Sequence, residues 1–482
     1  MLAALGFLTI GLILVLLLWN RAAAVVALVG VPLVAALAAG FSPGEIGDFV
    51  GEGLEGVVGV ATMFVFAIVF FGVMRDAGLF DPVIRRLVGA AGSAPVGVCV
   101  ATTALACVVH LDGAGATTFL IAVPAMLPVF DRLGMSRLVL TACVGLGAGV
   151  MNLLPWGGPT ARAATVVQAD ATELWVPLIP AQIAGVVAAL GVAAFLGLRE
   201  RRRLALANGV SPGDDPGGSG GSSGDARSGT ATEIPHPADT DPAGPSSAGP
   251  EAAASSTAPG GLATAARPSD AEDLTRPRLR WVNAGLTLLV LVALVLGLAS
   301  PETVFLAAAV LALLINYRGL HVQTARIQAH AQGAMLMATT LLAAGVLLGV
   351  LDGTGMVAAM AGTLAGAVPA GLAPALPLVV GVLGVPLSLL FGPDAYYFGV
   401  LPVLVEVGNQ VGVNGLDLAR ASLLGEETVG FPISPLTGAF YLLVGLGGVE
   451  IGRHIRALLG WAWLVSLVML AVAALTGAVA LW

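Results

Sequence analysis

The chain has 482 residues, of which 57% are apolar and only 10% charged, with a net charge of −8 and a mean hydropathy of +0.95. Soluble domains carry about 25% charged residues, so this composition excludes an ordinary soluble enzyme or binding module. Many windows exceed the roughly 20 apolar residues that a helix needs to cross a bilayer, which leaves a polytopic, all-α membrane protein.

In chain order, the first spans are expected over Leu2–Trp19 and Ala22–Ala39. An acidic connection, Phe41–Glu55, carries Glu45, Asp48, Glu52 and Glu55, and a third span follows over Gly56–Met74. Arg75, Asp76, Arg85 and Arg86 mark its aqueous end. Ala94–Val109 then runs into His110-Leu111-Asp112-Gly113-Ala114-Gly115, and Ala116–Phe130 runs out of it. Leu138–Leu154 leads to Pro155-Trp156-Gly157-Gly158-Pro159-Thr160, and Trp175–Leu198 closes the first half at Arg199–Arg203. Residues 204–275 change character to Gly, Ser, Pro, Ala, Asp and Thr, the composition of a disordered linker. The domains are therefore 1–203, a linker over 204–275, and 276–482. The second half repeats the pattern, with spans expected over Val282–Leu298, Val304–Asn316 and Gly333–Leu351. Arg318, His321 and Arg326 sit in a short polar segment before the last of these. A short helix over Met356–Val368 follows, then Leu376–Phe391, a break at Gly392-Pro393-Asp394, and Ala395–Val411. Leu416–Leu424, the loop Gly430–Thr437, Gly438–Leu446 and Ile455–Trp482 complete the chain. Arginine clusters fall on one side of this trace, which makes that side, with the linker, cytoplasmic.

The two breaks correspond. Gly113, Ala116 and Phe119 match Gly392, Ala395 and Phe398 at a constant offset, and Pro155 and Thr160 match Pro432 and Thr437. Helix breaks with an acid in matching places of two halves point to the binding site of a secondary transporter with inverted repeats. The bland alternative is a polar turn in which Asp112 caps the next helix. Backbone N–H groups at a broken helix attract carboxylates. Around them stand the candidate substrate residues Gly113, Gly115, Thr117, Thr118, Asn152, Gly157, Gly158, Thr160, Tyr396, Tyr397, Ser434 and Thr437. A purely anionic site would not contain acids, so Asp112 and Asp394 suggest a hard divalent cation or a proton beside the anion. Tyr396 and Tyr397 also read as packing aromatics, and Trp156 as interfacial packing. Arg162 and Arg420 read as a bidentate carboxylate clamp or, better, as partners of nearby acids, His110 as a proton carrier or, better, a satisfied core histidine, and Glu426 and Glu427 as a solvated or paired helix end.

Several long motifs resemble the citrate–divalent metal/proton symporters, the CitMHS family. They are Phe71–Pro82, Leu111-Asp112-Gly113, Met151–Ala164, Asp394–Gly399 and Ala419–Gly425. The resemblance implies proton-coupled symport of citrate, or a related di- or tricarboxylate, as a complex with a divalent cation of the Mg or Ca type. It implies no permanently bound cofactor, no enzymatic activity and no nucleic-acid partner. It also implies two inverted repeats with broken and re-entrant helices, about 11–13 membrane segments, a dimerising scaffold and an elevator-type transport domain in the plasma membrane. The chain departs from the family where Asp112-Gly113-Ala114-Gly115 replaces Asp-Gly-Asp-Gly, and where Pro393 replaces Asn before Asp394. The Gly430–Thr437 loop departs as well. An anion or metalloid exporter of the same superfamily is the alternative. A membrane-embedded enzyme finds no His/Glu metal motif and no nucleophile–base pair.

Overall fold

A computed structural model describes residues 1–19, 21–207, 274–366, 369 and 371–480, and every regular element among them is helical. Six helices are long and apolar enough to cross a bilayer by length and composition: Pro43–Asp76, Pro95–Asp112, Ala171–Leu206, Pro277–Val295, Leu320–Gly353 and Ile451–Leu475. Seven shorter apolar helices of 10–17 residues accompany them. Helices suit a lipid environment because they satisfy their backbone groups internally. Apolar side chains such as Leu288, Leu296 and Leu314 lie exposed on the outer helices, as lipid-facing residues must.

The helices recur in order and length. Pro43–Asp76 and Leu320–Gly353 have 34 residues each. Asp81–Ala90 and Met356–Ala365 have 10 each, as do Gly158–Val167 and Gly438–Gly447. The two 34-residue helices run side by side in opposite directions: Phe49 abuts Gly353, Gly53 abuts Gly349, and Gly72 abuts His330. Close approach explains the glycines here. A Cβ on Gly53 would stand 2.8 Å from the Gly349 Cα, so the backbones touch only because neither residue has a side chain. Gly53→Leu should separate the pair and lower thermal stability in detergent by about 1–3 kcal/mol. An unchanged melting curve would show that the helices have room.

Two sequence expectations are corrected here. The acidic stretch Phe41–Glu55 is not a connection, because the long helix already begins at Pro43. Ser42 and Glu45 form a capping box, in which the Ser42 amide donates to Glu45 Oε2 at 2.8 Å and the Glu45 amide to Ser42 Oγ at 3.4 Å. Ile46 and Gly53 face inward, while the acids line the open face. The segment around Arg326 is likewise helical from Leu320. There Arg326 and His330 reach Asp76 Oδ2, at 3.3 and 2.8 Å, and pin the far end of the helix pair.

The last helix of the first half runs to Ala207, past the expected end at Leu198 and the expected domain boundary at 203. Residues 208–273 of the linker expectation lie outside the described residues. On re-entry, the Arg276 amide donates to Ala77 O at 2.9 Å and the Tyr317 hydroxyl to Leu274 O at 3.1 Å. The second half is thereby strapped to the end of the first long helix.

Candidate functional site

The first break lies where the helix Pro95–Val109 tightens into a single turn, His110–Asp112. Gly113 then takes a left-handed φ of 73°, and Ala114 is extended before the helix Gly115–Arg132. Only glycine enters that conformation freely. Trp156 packs on Gly113 and donates its indole N–H to Leu111 O at 2.9 Å, so this tryptophan locks the break from inside. Asp112 Oδ1 accepts from the Ala114 amide at 2.9 Å. The helix is capped by Ala114 without any side chain, so Asp112 shapes the break rather than capping the helix. Its Oδ2 lies 3.1 Å from Arg75 Nη1, which also donates to Thr117 Oγ1 at 3.2 Å. Arg75 and Asp112 line a cavity of about 210 Å³ together with Phe80, Asp81, Ile84, Val109 and Ile121. His110 is fully buried between Thr118 Oγ1, at 2.8 Å, and Asn152 Oδ1, at 3.3 Å. It is the satisfied core histidine of the sequence reading.

The second break is built differently. Gly392 is extended, and Pro393–Ala395 starts a helix that widens over Tyr396–Val400 before Leu401–Gln410. Pro402 lacks the N–H that a regular turn would use, and a locally widened turn absorbs the mismatch. Arg162 Nε and Nη2 both reach Asp394 Oδ1 at 2.8 Å. Tyr396 and Tyr397 are fully buried: the first hydroxyl is 2.8 Å from Ser422 Oγ, and the second donates to Glu426 O at 2.9 Å. Both phenols therefore tie the break to residues 422–427 and present no free oxygen. Arg420, by contrast, stands 3.6 Å from Asp417 and donates to Glu173 O and Ala478 O, in a contact of its own.

Two crossover loops join these breaks. Asn152 Nδ2 donates to Glu427 O at 2.7 Å, so one side chain bridges His110 in the first half to residue 427 in the second. A Cβ on Gly149 would lie 3.1 Å from Thr428 O and Val429 Cα. Phe431 stacks on Phe119 at 5.4 Å and covers Gly115. Of the remaining candidates, Thr118 and Thr160 spend their hydroxyls on backbone oxygens of Ala114 and Leu153. Thr437 donates to Ser434 O at 3.1 Å. Gly157 is hemmed in by the Asn152 and Leu154 carbonyls, and Gly158 lies against Arg162. Ser434 is buried and faces the Glu427 carboxylate without reaching hydrogen-bond geometry.

Sequence reasoning missed four participants. Arg75 was read as an aqueous helix end, yet it neutralises Asp112. Ser388, at the end of Leu376–Leu387, donates to Glu426 Oε2 at 3.0 Å and accepts from the Glu427 amide at 3.0 Å. Glu426 and Glu427 are not a solvated helix end: they are 0% and 1% exposed. Their signal was the run Leu423-Leu424-Gly425-Glu426-Glu427-Thr428-Val429, which sets acids among apolar residues as at Asp112. Among the described residues, no group of three or more His, Cys, Asp and Glu side chains is arranged to hold a metal. The metal expectation for Asp112 and Asp394 thus finds each acid engaged by its own arginine.

Known proteins match this architecture. The chain fits a family model described as "Citrate transporter", CitMHS, over residues 10–425. It is 36% identical over 477 residues to a citrate transporter of Bacillus subtilis, covering 99% of both chains. It is also 36% identical over 481 residues to a Mg(2+)/citrate complex secondary transporter of the same organism, covering 100% of both. The crystal structure of the Alcanivorax borkumensis YdaH transporter is similar in fold, with a TM-score of 0.50, 18% identity, and coverage of 90% of this chain and 87% of that one. The two relatives match the chain end to end and the family model spans both helix breaks, so the chain is a member of the CitMHS citrate transporter family.

Proposed function

We propose that this protein is a multi-pass transporter of the plasma membrane that takes up citrate, or a closely related carboxylate, as a divalent-metal complex with protons. The observation that carries this reading is the pairing of two helix breaks, each with an arginine-bound acid, joined through Asn152. The end-to-end likeness to a Mg(2+)/citrate transporter supports the cargo. Chelation suits the donor set. Hard divalent cations want six or more oxygens, and Asp112 and Asp394 are held by Arg75 and Arg162. A cation carried here needs ligands of its own, and citrate supplies carboxylate and hydroxyl oxygens. The complex keeps a negative charge, which arginine and the backbone N–H groups of broken helices attract.

The recurrence of helix lengths and the antiparallel long pair support two inverted repeats. In that arrangement the breaks form a transport unit that slides against a dimeric scaffold. Full-length protein in liposomes tests the reading. Labelled citrate should enter only with a suitable divalent cation and should accumulate when the outside is more acidic. Accumulation without a divalent cation would refute the complex as cargo. Movement only outward would favour an exporter.

A further inference from the structure

The second half holds more acid than its surroundings can neutralise. Glu426 and Glu427 are buried side by side, and the Arg162–Asp394 pair lies near enough to act on the Glu427 charge. If every group were ionised, one arginine would face three carboxylates. Glu427 Oε1 is buried without a hydrogen-bond partner among the described residues, but the Arg162 charge acts on it, whereas no arginine among the described residues stands against Glu426. Its Oε2 has only the Ser388 hydroxyl, and that hydroxyl also faces Gly384 O at 3.3 Å. Its Oε1 is buried and, among the described residues, has no hydrogen-bond partner. Ser466 Oγ, close to Gly425, is buried and unpartnered as well. Among the described residues, the other titratable groups facing Glu426 are Glu427 along the chain and Tyr396 and Tyr397 from the broken helix, with no arginine against it. An isolated carboxylate in such a place is strongly disfavoured, whereas a carboxylic acid is tolerated.

We propose that Glu426 is where the transporter binds and releases its coupled proton. The proton sits on a Glu426 carboxyl oxygen and leaves as H⁺ when the surrounding helices separate enough to admit water. Glu427 follows Glu426 in the chain and feels the Arg162 and Asp394 charges, so it offers the route towards the second break. Tyr397 carries the link to the break, because its hydroxyl holds the Glu426 carbonyl. Movement of Asp394 and Tyr397 with the broken helix therefore opens the shell around Glu426. This proposal rests on the proton-coupled reading above.

The test is Glu426→Gln in the full-length protein reconstituted in liposomes, assayed with magnesium and labelled citrate. Gln imitates the protonated acid and cannot release a proton. Citrate exchange between loaded and external pools at equal pH should persist, since exchange needs no deprotonation. Wild type should accumulate citrate about tenfold per coupled proton for each unit of imposed pH gradient, and Glu426→Gln should not accumulate it at all. Gradient-driven accumulation by Glu426→Gln at the wild-type level would overturn the proposal. If wild type itself ignores the pH gradient while exchanging citrate, the proton-coupled reading fails instead. Accumulation driven by sodium and lost in Glu426→Gln would make the occupant a metal cation and also overturn it. Should the variant fail to fold, infrared difference spectra of wild type decide the matter. A buried protonated carboxyl that disappears as pH rises and persists in Glu427→Gln and Asp112→Asn supports the proposal, and its absence throughout, or its loss in either of those variants, refutes it.

Discussion

Asp394→Asn should lower citrate uptake by roughly ten- to a hundredfold, the range expected when one charge-assisted hydrogen bond of about 1.5–3 kcal/mol is lost. Asp394 has no capping duty to hide behind. Its helix starts at Gly392 without a side-chain cap, and among the described residues its carboxylate is held by Arg162. Arg162 is 8% exposed and cannot turn to water when the charge is removed. Glu427 is the nearest replacement, and capture by Glu427 would hold the guanidinium away from the broken helix. Uptake would then fall although the protein still inserts and folds. The double change Arg162→Gln with Asp394→Asn, taken with the two single changes, separates the two roles, because a double-mutant cycle isolates the pairwise term. It should relieve the unpaired charge and recover thermal stability while uptake stays low. The measurement is initial rate against magnesium concentration, normalised to inserted protein. Wild-type rates in Asp394→Asn would sink the assignment.

The membrane class and the two breaks were legible in the sequence because each rests on local chemistry. Apolar runs and glycines beside an acid need no knowledge of the partner. The boundaries of the long helices were not legible in the same way. Phe41–Glu55 looks like a loop because its acids are many, yet Ser42-Pro43-Gly44-Glu45 is a helix start whose polar face stays open. Partner choice was the harder loss. Arg75 and Asp112 are 37 residues apart and Arg162 and Asp394 are 232 apart, so no spacing rule could join them. Glu426 and Glu427 were missed for another reason. Two adjacent acids usually mark water, and only the fold shows that Tyr397, Ser388 and Asn152 close over their backbone and side chains. Several candidate oxygens, such as those of Thr118 and Thr160, turn out to hold the backbone of the breaks. The sequence marks such hydroxyls as available because it cannot show what they already bind.

Asp112→Asn should be the more damaging change at the first break, and the reason lies in its two oxygens. Oδ1 accepts from the Ala114 amide and Oδ2 from Arg75. Asparagine can serve Ala114 only with its carbonyl oxygen, which turns its NH₂ directly onto the guanidinium. A flip would satisfy Arg75 and set the NH₂ against the Ala114 N–H instead. Either way one donor faces another inside a largely buried site, and leaving such a group unsatisfied costs about 1–3 kcal/mol. Detergent-solubilised Asp112→Asn should melt earlier by that amount, and its uptake should fall at least about tenfold. Adding Arg75→Gln repairs the geometry without restoring charge, because a Gln carbonyl can accept from the Asn NH₂. The double variant should therefore regain stability. If the ion pair serves only to hold the break, uptake should return with it. If the charges guide the cargo through the cavity they line, the double variant should be stable and still inactive, which is the expected outcome. Full recovery of magnesium-dependent uptake would reduce Arg75 and Asp112 to a structural clasp.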